Sequence, residues 1–387
     1  MDFALTESQE LIKKEVAALA RTFSMDYWLD KDTRAEYPHE FVKAFADNGW
    51  LGLMIPEEYG GAGLGVTEAA LMLHEICASG AGTSGASPVH FYVFPPTPIV
   101  KYGTEAMKRK YLPRIAGGEI ILAFGVTEPN AGTDTSRIQT RAEPRGGRWI
   151  VNGRKVWTTN AQRADKLLLL ARTSERDPAR PLKGMTLFFA DLDRRACTVR
   201  EIHKLGRAAV DSNEVVIENL EVADEDVVGT VGDGFYHLLD SLNPERIVIG
   251  IEAVGIGRAA LDRAVQYAKE RVVFERPIGQ NQAIAHPLAH ALAELDAAEM
   301  MCLKAAWLFD HGRPCGREAN AAKLLSAEAG FNACDAALQT FGGFGYAREF
   351  YIERLWREVR LYKIAPISQQ MALNYLAEHV LTLPRSY

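Results

Sequence analysis

The chain has 387 residues, 48% of them hydrophobic and 24% charged, and its 44 basic and 50 acidic side chains leave a net charge of -6. With no basic excess to displace counterions, nucleic acid and anionic membrane surfaces are excluded as partners. The length predicts two or three compact units, and no apolar run reaches the ~20 residues that span a bilayer. Five cysteines (Cys77, Cys197, Cys302, Cys315, Cys334) are widely spaced, odd in number and free of any CxxC. That pattern predicts reduced thiols in a cytoplasmic protein, without disulfides or zinc.

The opening segment, MDFALTESQELIKKEVAALA, mixes acids and lysines at helical spacing, so it reads as an amphipathic helix and not a signal peptide. Residues 1–120 are predicted to be a helical domain, with ESQELIKKEVAALARTF, PHEFVKAFADNGW and TEAALMLHEICASG as helices between the loops EEYGGAGLG and FPPTP. Residues 121–230 change to strand patterns. RWIVNGRKVWTT reads as a hairpin about Asn152-Gly153, and KLLLLART, GMTLFFADLD and NEVVIENLEV follow without helix-length crossovers. The expectation is a central antiparallel sheet or barrel. From 231 to 387 long helices return, with stripes such as Ile247, Ile251, Val254 and Leu261, as in a C-terminal helical bundle.

Several short patterns carry chemistry. Gly255-Ile-Gly257-Arg-Ala-Ala260 matches a dinucleotide fingerprint but lies inside a predicted helix, where no phosphate meets a helix N-terminus, so it reads as helix packing. His286 and His290 share a face but lack the Glu of a metal-binding HExxH. AFGVTEPNAGTDTS pairs a short strand with a turn lined by Thr127, Thr133, Thr135 and Ser136, suited to a polar ring edge or a phosphate. KVWTTNA presents Trp157 beside Thr158 and Thr159, a flat aromatic with hydroxyls at hand for a planar cofactor. In QTFGGFGY, Gly342 and Gly343 allow close approach to a pyrophosphate beside the Gln339 amide. LNPERIVIG sets Glu245 after Asn243-Pro244. This reads locally as a helix start, with Asn as N-cap, Pro in the first turn and an acid at the positive end of the dipole.

Taken in order, FGVTEPNAGTD, NGRKVWTTN, ERVVFERPIGQNQAIAH, QTFGGFGY and RLYKIAPISQQ resemble the acyl-CoA dehydrogenase family across nearly the whole chain, and LGLMIPEEYGGAGLG and YGTEAMKRKYLPRIAGGE resemble it too. The resemblance implies an N-terminal α-helical domain, a central antiparallel β-barrel and a C-terminal four-helix bundle, in an α+β multidomain chain. It implies non-covalent FAD between barrel and bundle. By similarity, Phe124, Val126, Thr127 and Thr133 line the flavin or the start of the acyl-CoA, and Trp157 and Thr159 cover the ring system. Arg271, Phe274, Gln282, Gln339, Gly342 and Gly343 are implied to reach FAD from a neighbouring subunit, with Ser368 and Gln369 also assigned to the cofactor. A composite site implies a homo-oligomer, a dimer or tetramer. Two positions depart from the family's pattern: Val273 where Thr is frequent, and Glu275 where Gly is common.

The family's reaction needs a carboxylate to take the α-proton of an acyl thioester. The position many members use for it is Ala365 here, and no acid occurs between Glu358 and Glu378. In the isovaleryl-CoA and long-chain branches the base lies on the helix beginning at the Glu-Arg pair, which NPERIVIG resembles. Glu245 is thereby the expected catalytic base, and Arg246 the expected contact to the CoA portion or to a carboxylate. The expected activity is dehydrogenation of an acyl-CoA to the trans-2-enoyl-CoA, with electrons passed to an electron-transfer flavoprotein. The shifted base hints at medium, long or methyl-branched chains. An oxygen-using oxidase or monooxygenase on the same fold, and a catalytically silent acyl-CoA- or FAD-binding homologue, stand as alternatives.

Overall fold

The computed structural model describes residues 4–385. Seven helices come first: α1 (Glu7–Arg21), α2 (Met25–Arg34), α3 (His39–Asp47), α4 (Val66–Ile76), α5 (Gly82–His90), α6 (Thr97–Tyr102) and α7 (Glu105–Ala116). Thr6 starts α1 with a capping box: its hydroxyl accepts from Gln9 N, and the Gln9 side chain returns to Thr6 N. Every residue of α5, and every residue of α4 except the half-buried Glu68, is buried, so these two helices form the centre of the molecule and not its rind. The N-terminus of α4 is capped from afar. Asp310 accepts from Val66 N and Thr67 N, both at 2.8 Å, and from the Thr67 hydroxyl at 2.6 Å.

The middle of the chain is β1 (Leu122–Gly125), β2 (Arg141–Pro144), β3 (Arg148–Thr159), β4 (Lys166–Arg172), β5 (Met185–Asp191), β6 (Cys197–Glu201), β7 (Ser212–Ala223) and β8 (Val227–Val228). The expected barrel is not closed. The strand order β6-β7-β3-β2-β4-β5-β8 leaves β6 and β8 as open edges, and β1 and β2 both pair with β4 in parallel. The predicted hairpin is also corrected. Residues 148–159 form one continuous strand, and the turn lies upstream at Gly146-Gly147, with φ of 58° and 77° and Arg145 and Arg148 bonded across it. Asn152-Gly153 instead sits at a register shift against β7, where a Cβ on Gly153 would stand 2.6 Å from the Thr140 backbone. All seven residues of β4 are buried, alternating between two cores. Leu168 and Leu170 face the helices, whereas Leu167, Leu169 and Ala171 face the sheet's own core with Trp149, Phe188 and Val215.

The last part contains α8 (Gly234–Glu270), α9 (Gln282–Asp310), α10 (Gly316–Phe341), α11 (Ile352–Val359) and α12 (Gln369–Tyr375). Three long helices build the bundle, and α11 and α12 pack on α10 with a 3₁₀ turn, Arg360–Lys363, between them. The start of α8 overturns the reading of Asn243-Pro244 as a helix beginning. The helix starts at Gly234 and runs 37 residues through Pro244. Proline in a helix interior costs about 3 kcal/mol. Packing offsets that cost upstream, because Leu238 is buried and Gly234 lies so close to β5 that a Cβ would stand 2.3 Å from Leu187 N. The glycines of the rejected fingerprint serve close packing. A Cβ on Gly255 would meet the His74 carbonyl at 2.6 Å, and one on Gly257 the Leu295 side chain at 2.7 Å. Among the described residues no helix is long and apolar enough to cross a membrane.

Candidate active site

Glu245 lies eleven residues into α8, 7% exposed, so its carboxylate is not a helix cap. Its Oε2 stands 2.8 Å from Nε2 of His90, the last residue of the buried helix α5. The other ring nitrogen, Nδ1, stands 2.8 Å from Oε1 of Glu252. Glu252 is two turns beyond Glu245 on α8, so the two acids share a face and His90 enters between them. Tyr362 donates its hydroxyl to Oε2 of Glu252 at 2.9 Å, and Thr83 donates to Tyr362 at 3.0 Å. Burial opposes a charge on His90, but the charges of Glu245 and Glu252 and their hydrogen bonds outweigh it and raise the ring's pKa to about 10. Ala365 provides no acid, and the nearest one upstream, Glu358, is fully committed. It accepts from Arg354 at 3.0 Å and from Ser84 N and Oγ at 3.2 and 2.7 Å.

An aromatic path leads from this cluster to the sheet. His90 stacks at a tilt 6.2 Å from Phe94, and Phe94 meets Phe124 of β1 edge-on at 5.1 Å. Beyond Phe124 the segment through Thr133 is pinned by a buried ion pair. Lys155 Nζ, fully buried on β3, donates to Glu128 at 2.8 Å and to the Val126 carbonyl at 3.0 Å. Glu128 also accepts from Gln139 N and Thr140 N at 2.6 and 2.9 Å. Burial disfavours the Glu128 carboxylate, yet Lys155 and those amides hold its pKa below the usual range. Burial depresses Lys155 to about 8 despite Glu128. Thr127 receives Val156 N on its carbonyl at 2.9 Å, and Thr133 is exposed.

The amide of Val156 reaches Thr127 because β3 bulges between Lys155 and Thr158. The bulge turns Trp157 out of the ladder, with a φ of 61° and 58% of its surface exposed. A bulky residue in the left-handed region is strained, and here the strain presents a bare indole beside Thr158, whose buried hydroxyl has no partner. Thr159 is committed to Arg207, whose guanidinium also bonds Ser87 of α5 and Ser212 of β7 at 2.9 and 2.7 Å. Trp157→Gly is expected to leave the apoprotein's stability within about 1 kcal/mol, since strain relief offsets lost chain order. It is expected to weaken FAD binding about tenfold through loss of the aromatic platform; fluorescence titration of apoprotein with FAD reads both the affinity and its loss.

The remaining candidates gather far away. Arg271, Gly342 and Gly343 line one groove with Tyr267 and Phe344, and Gln339 lines a neighbouring one that shares Thr340. Neither Gly342 nor Gly343 would have a neighbour within 4 Å of a Cβ, so the backbone lies open there. Phe274 and Glu275 form the tip of a two-residue hairpin between β9 (Val272–Val273) and β10 (Arg276–Pro277), with φ of 51° and 65°. That geometry explains why glycine suits position 275. Phe274 is 93% exposed, and Gln282 opens α9 on the surface. Arg271 is 26 residues from Glu245, about 39 Å along α8 at 1.5 Å per residue. The structure therefore separates the expected cofactor residues into two groups. Ser368 and Gln369 are occupied locally, as N-cap of α12 and as donor to Glu328. Arg246 donates to Asn243 at 2.9 Å and has no ion pair among the described residues, its Nε unpartnered. His90, Glu252, Tyr362, Arg207 and the Lys155–Glu128 pair were not found in the sequence. The available signal was Glu252 itself, an acid two turns from Glu245 in an otherwise apolar stretch.

The three parts of the chain match three family models: the acyl-CoA dehydrogenase N-terminal domain over residues 6–119, middle domain over 123–220 and C-terminal domain over 232–381. Among named relatives, acyl-CoA dehydrogenase fadE12 of Mycobacterium bovis is 37% identical, covering 100% of this chain and 99% of its own. A chain from the structure of the electron transferring flavoprotein of Acidaminococcus fermentans is 32% identical with a TM-score of 0.93, covering 98% of this chain and 100% of that one. The glutaryl-coenzyme A dehydrogenase glutaryl-CoA complex is 30% identical with a TM-score of 0.94, over 100% and 98% of the two chains.

Proposed function

The chain belongs to the acyl-CoA dehydrogenase family, and on that premise we propose that it oxidises an acyl-CoA thioester to the trans-2-enoyl-CoA with Glu245 as the base. The observation that carries this reading is the buried carboxylate of Glu245, hydrogen-bonded among the described residues through one oxygen only, in a chain whose alternative base position is alanine. The residues present fit FAD: an exposed strained indole, an unpartnered Thr158 hydroxyl, and an open Gly342-Gly343 backbone beside Arg271. When bound, FAD supplies the acceptor for the hydride leaving the β-carbon. Phe124, Val126, Thr127, Thr133, Trp157 and Thr159 would hold its ring end. Arg271, Phe274, Gln282, Gln339, Gly342 and Gly343 would serve a neighbouring subunit's cofactor, as the distance along α8 supports, and Ser368 and Gln369 would complete that assignment.

Glu245 takes the α-proton; the electrons of that C–H bond become the new C=C bond as hydride departs from the β-carbon. A dry site raises the strength of every fixed dipole facing the enolate oxygen. Arg246, half-buried and without an ion pair among the described residues, is assigned to the CoA portion of the substrate. A medium, long or methyl-branched acyl chain, an electron-transfer flavoprotein as electron acceptor, a cytoplasmic location and a homo-oligomer complete the proposal. Anaerobic mixing of the yellow holoenzyme with straight and branched acyl-CoAs tests it. Loss of flavin absorbance with one chain class is the expected result, and no bleaching by any chain would overturn the reading. Turnover with oxygen alone, without an electron carrier, would assign the chain to the oxidases.

A further inference from the structure

Resting on the reading of Glu245 as the base, we propose that His90 and Glu252 are positioning residues that hold Glu245 by Oε2, leave Oε1 to receive the α-proton, and set the pH range in which it does so. Both ring nitrogens of His90 face carboxylate oxygens at 2.8 Å. With both acids ionised, each carboxylate can only accept, so the two hydrogen bonds need an N–H on each side of the ring, a state the two negative charges favour. The ring is therefore an imidazolium between two carboxylates, and all three groups are less than a tenth exposed. Oε1 of Glu245 has no hydrogen-bond partner among the described residues, whereas Oε2 is fixed. Proton transfer to Oε1 leaves Oε2 a carbonyl oxygen that still accepts from His90, so the anchor survives the step.

The electrostatics have opposing parts. Next to the base, an imidazolium favours the carboxylate and weakens it as a base; the charge of Glu252 counters that. The other groups facing the triad are Arg246, whose charge acts on Glu245 directly and favours its carboxylate, Tyr362, whose phenol burial and Glu252 push above its ordinary range, Cys77, whose thiol burial pushes up likewise, and the buried Arg207 guanidinium. Tyr362 links Glu252 to the turn just before Ala365, so the triad is fastened to the wall from which the alternative base is missing.

The test compares holoenzymes of the wild type, His90→Gln, Glu252→Gln and Glu245→Gln by the rate of anaerobic flavin reduction across pH. His90→Gln removes a positive charge beside the base, and its acid limb is expected about one pH unit or more higher. Glu252→Gln removes a negative charge, and the same limb is expected lower. Affinity for a non-reducing acyl-CoA analogue is expected to change less than about threefold in either variant, because both side chains are buried and act on the site through Glu245. Limbs that move together or not at all overturn the proposal while leaving Glu245 as base; reduction that survives in Glu245→Gln overturns the base itself. Thermal unfolding gives a readout independent of turnover. His90 titrates near ~6.5 when unfolded and about 10 when folded. Its stabilisation is therefore complete below the first value and lost as pH rises through the second. The Tm difference between wild type and His90→Gln is expected to shrink across that window, and a constant difference would count against the charged triad.

Discussion

Replacing Glu245 by Gln is expected to slow anaerobic flavin reduction by an acyl-CoA about 10²- to 10⁴-fold, the contribution of a positioned general base. The amide keeps the shape and volume of the carboxylate and still accepts from His90 through its oxygen, so folding, yellow colour and acyl-CoA affinity should be retained. What it loses is the ability to take a proton. Ala365 cannot substitute, and Glu358 is held by Arg354 and Ser84 with neither oxygen free. Stopped-flow mixing separates this from a binding defect, because the spectral perturbation of ligand binding precedes bleaching. Bleaching at the wild-type rate would return Glu245 to a structural ion-pair role.

The second large effect is structural. Glu128→Ala is expected to destabilise the protein by about 3–5 kcal/mol, since it strands the Lys155 ammonium in the interior. It also deprives the Gln139 and Thr140 amides of their acceptor. The segment thus released carries Thr127 and Thr133, so FAD should dissociate at lower urea concentration than the midpoint of global unfolding. The double variant Glu128→Leu with Lys155→Met removes both charges and is expected to recover most of the loss. The pH dependence has a definite sign. Glu128 titrates below its unfolded value, so its contribution is present above ~4.3 and disappears as pH falls through the folded value. The wild type should thus lose FAD and stability together on the acid side, while the double variant does so less steeply. Equal acid sensitivity of the two proteins would refute this role for the pair.

The candidate residues for the cofactor are those whose chemistry sits in contiguous words: the hydroxyl-lined turn at 127–136, Trp157 beside Thr158 and Thr159, the glycine pair at 342–343. The failures share a cause. Asn243-Pro244 carries helix-start chemistry, but the turns of α8 before it are held by packing of Leu238 and by contact with β5, which no local pattern encodes. Asn152-Gly153 is a strong turn pair, yet Gly146-Gly147 lies six residues upstream with equal freedom, and the pairing of β3 with β7 selects between them. Openness of the sheet depends on β6 and β8 failing to meet, a global property. His90 was invisible for the same reason. It is 155 residues from Glu245, and a histidine at the end of a small-residue helix announces nothing until α8 is laid against it.

The Asp310 cap on α4 has a consequence for how the protein is made. The helical segments at the two ends of the sequence share one core, which runs from Ile12 through Leu73 and Val254 to Tyr362 and takes in one face of the sheet. The acceptor for the first amides of α4 leaves the ribosome some 240 residues after the amides themselves. Until then, α4 and α5 expose a surface that in the finished protein has no exposed residue at all. The N-terminal third is thus a partner awaiting its other half and not an autonomous module, and its sticky nascent stage is where chaperone dependence would concentrate.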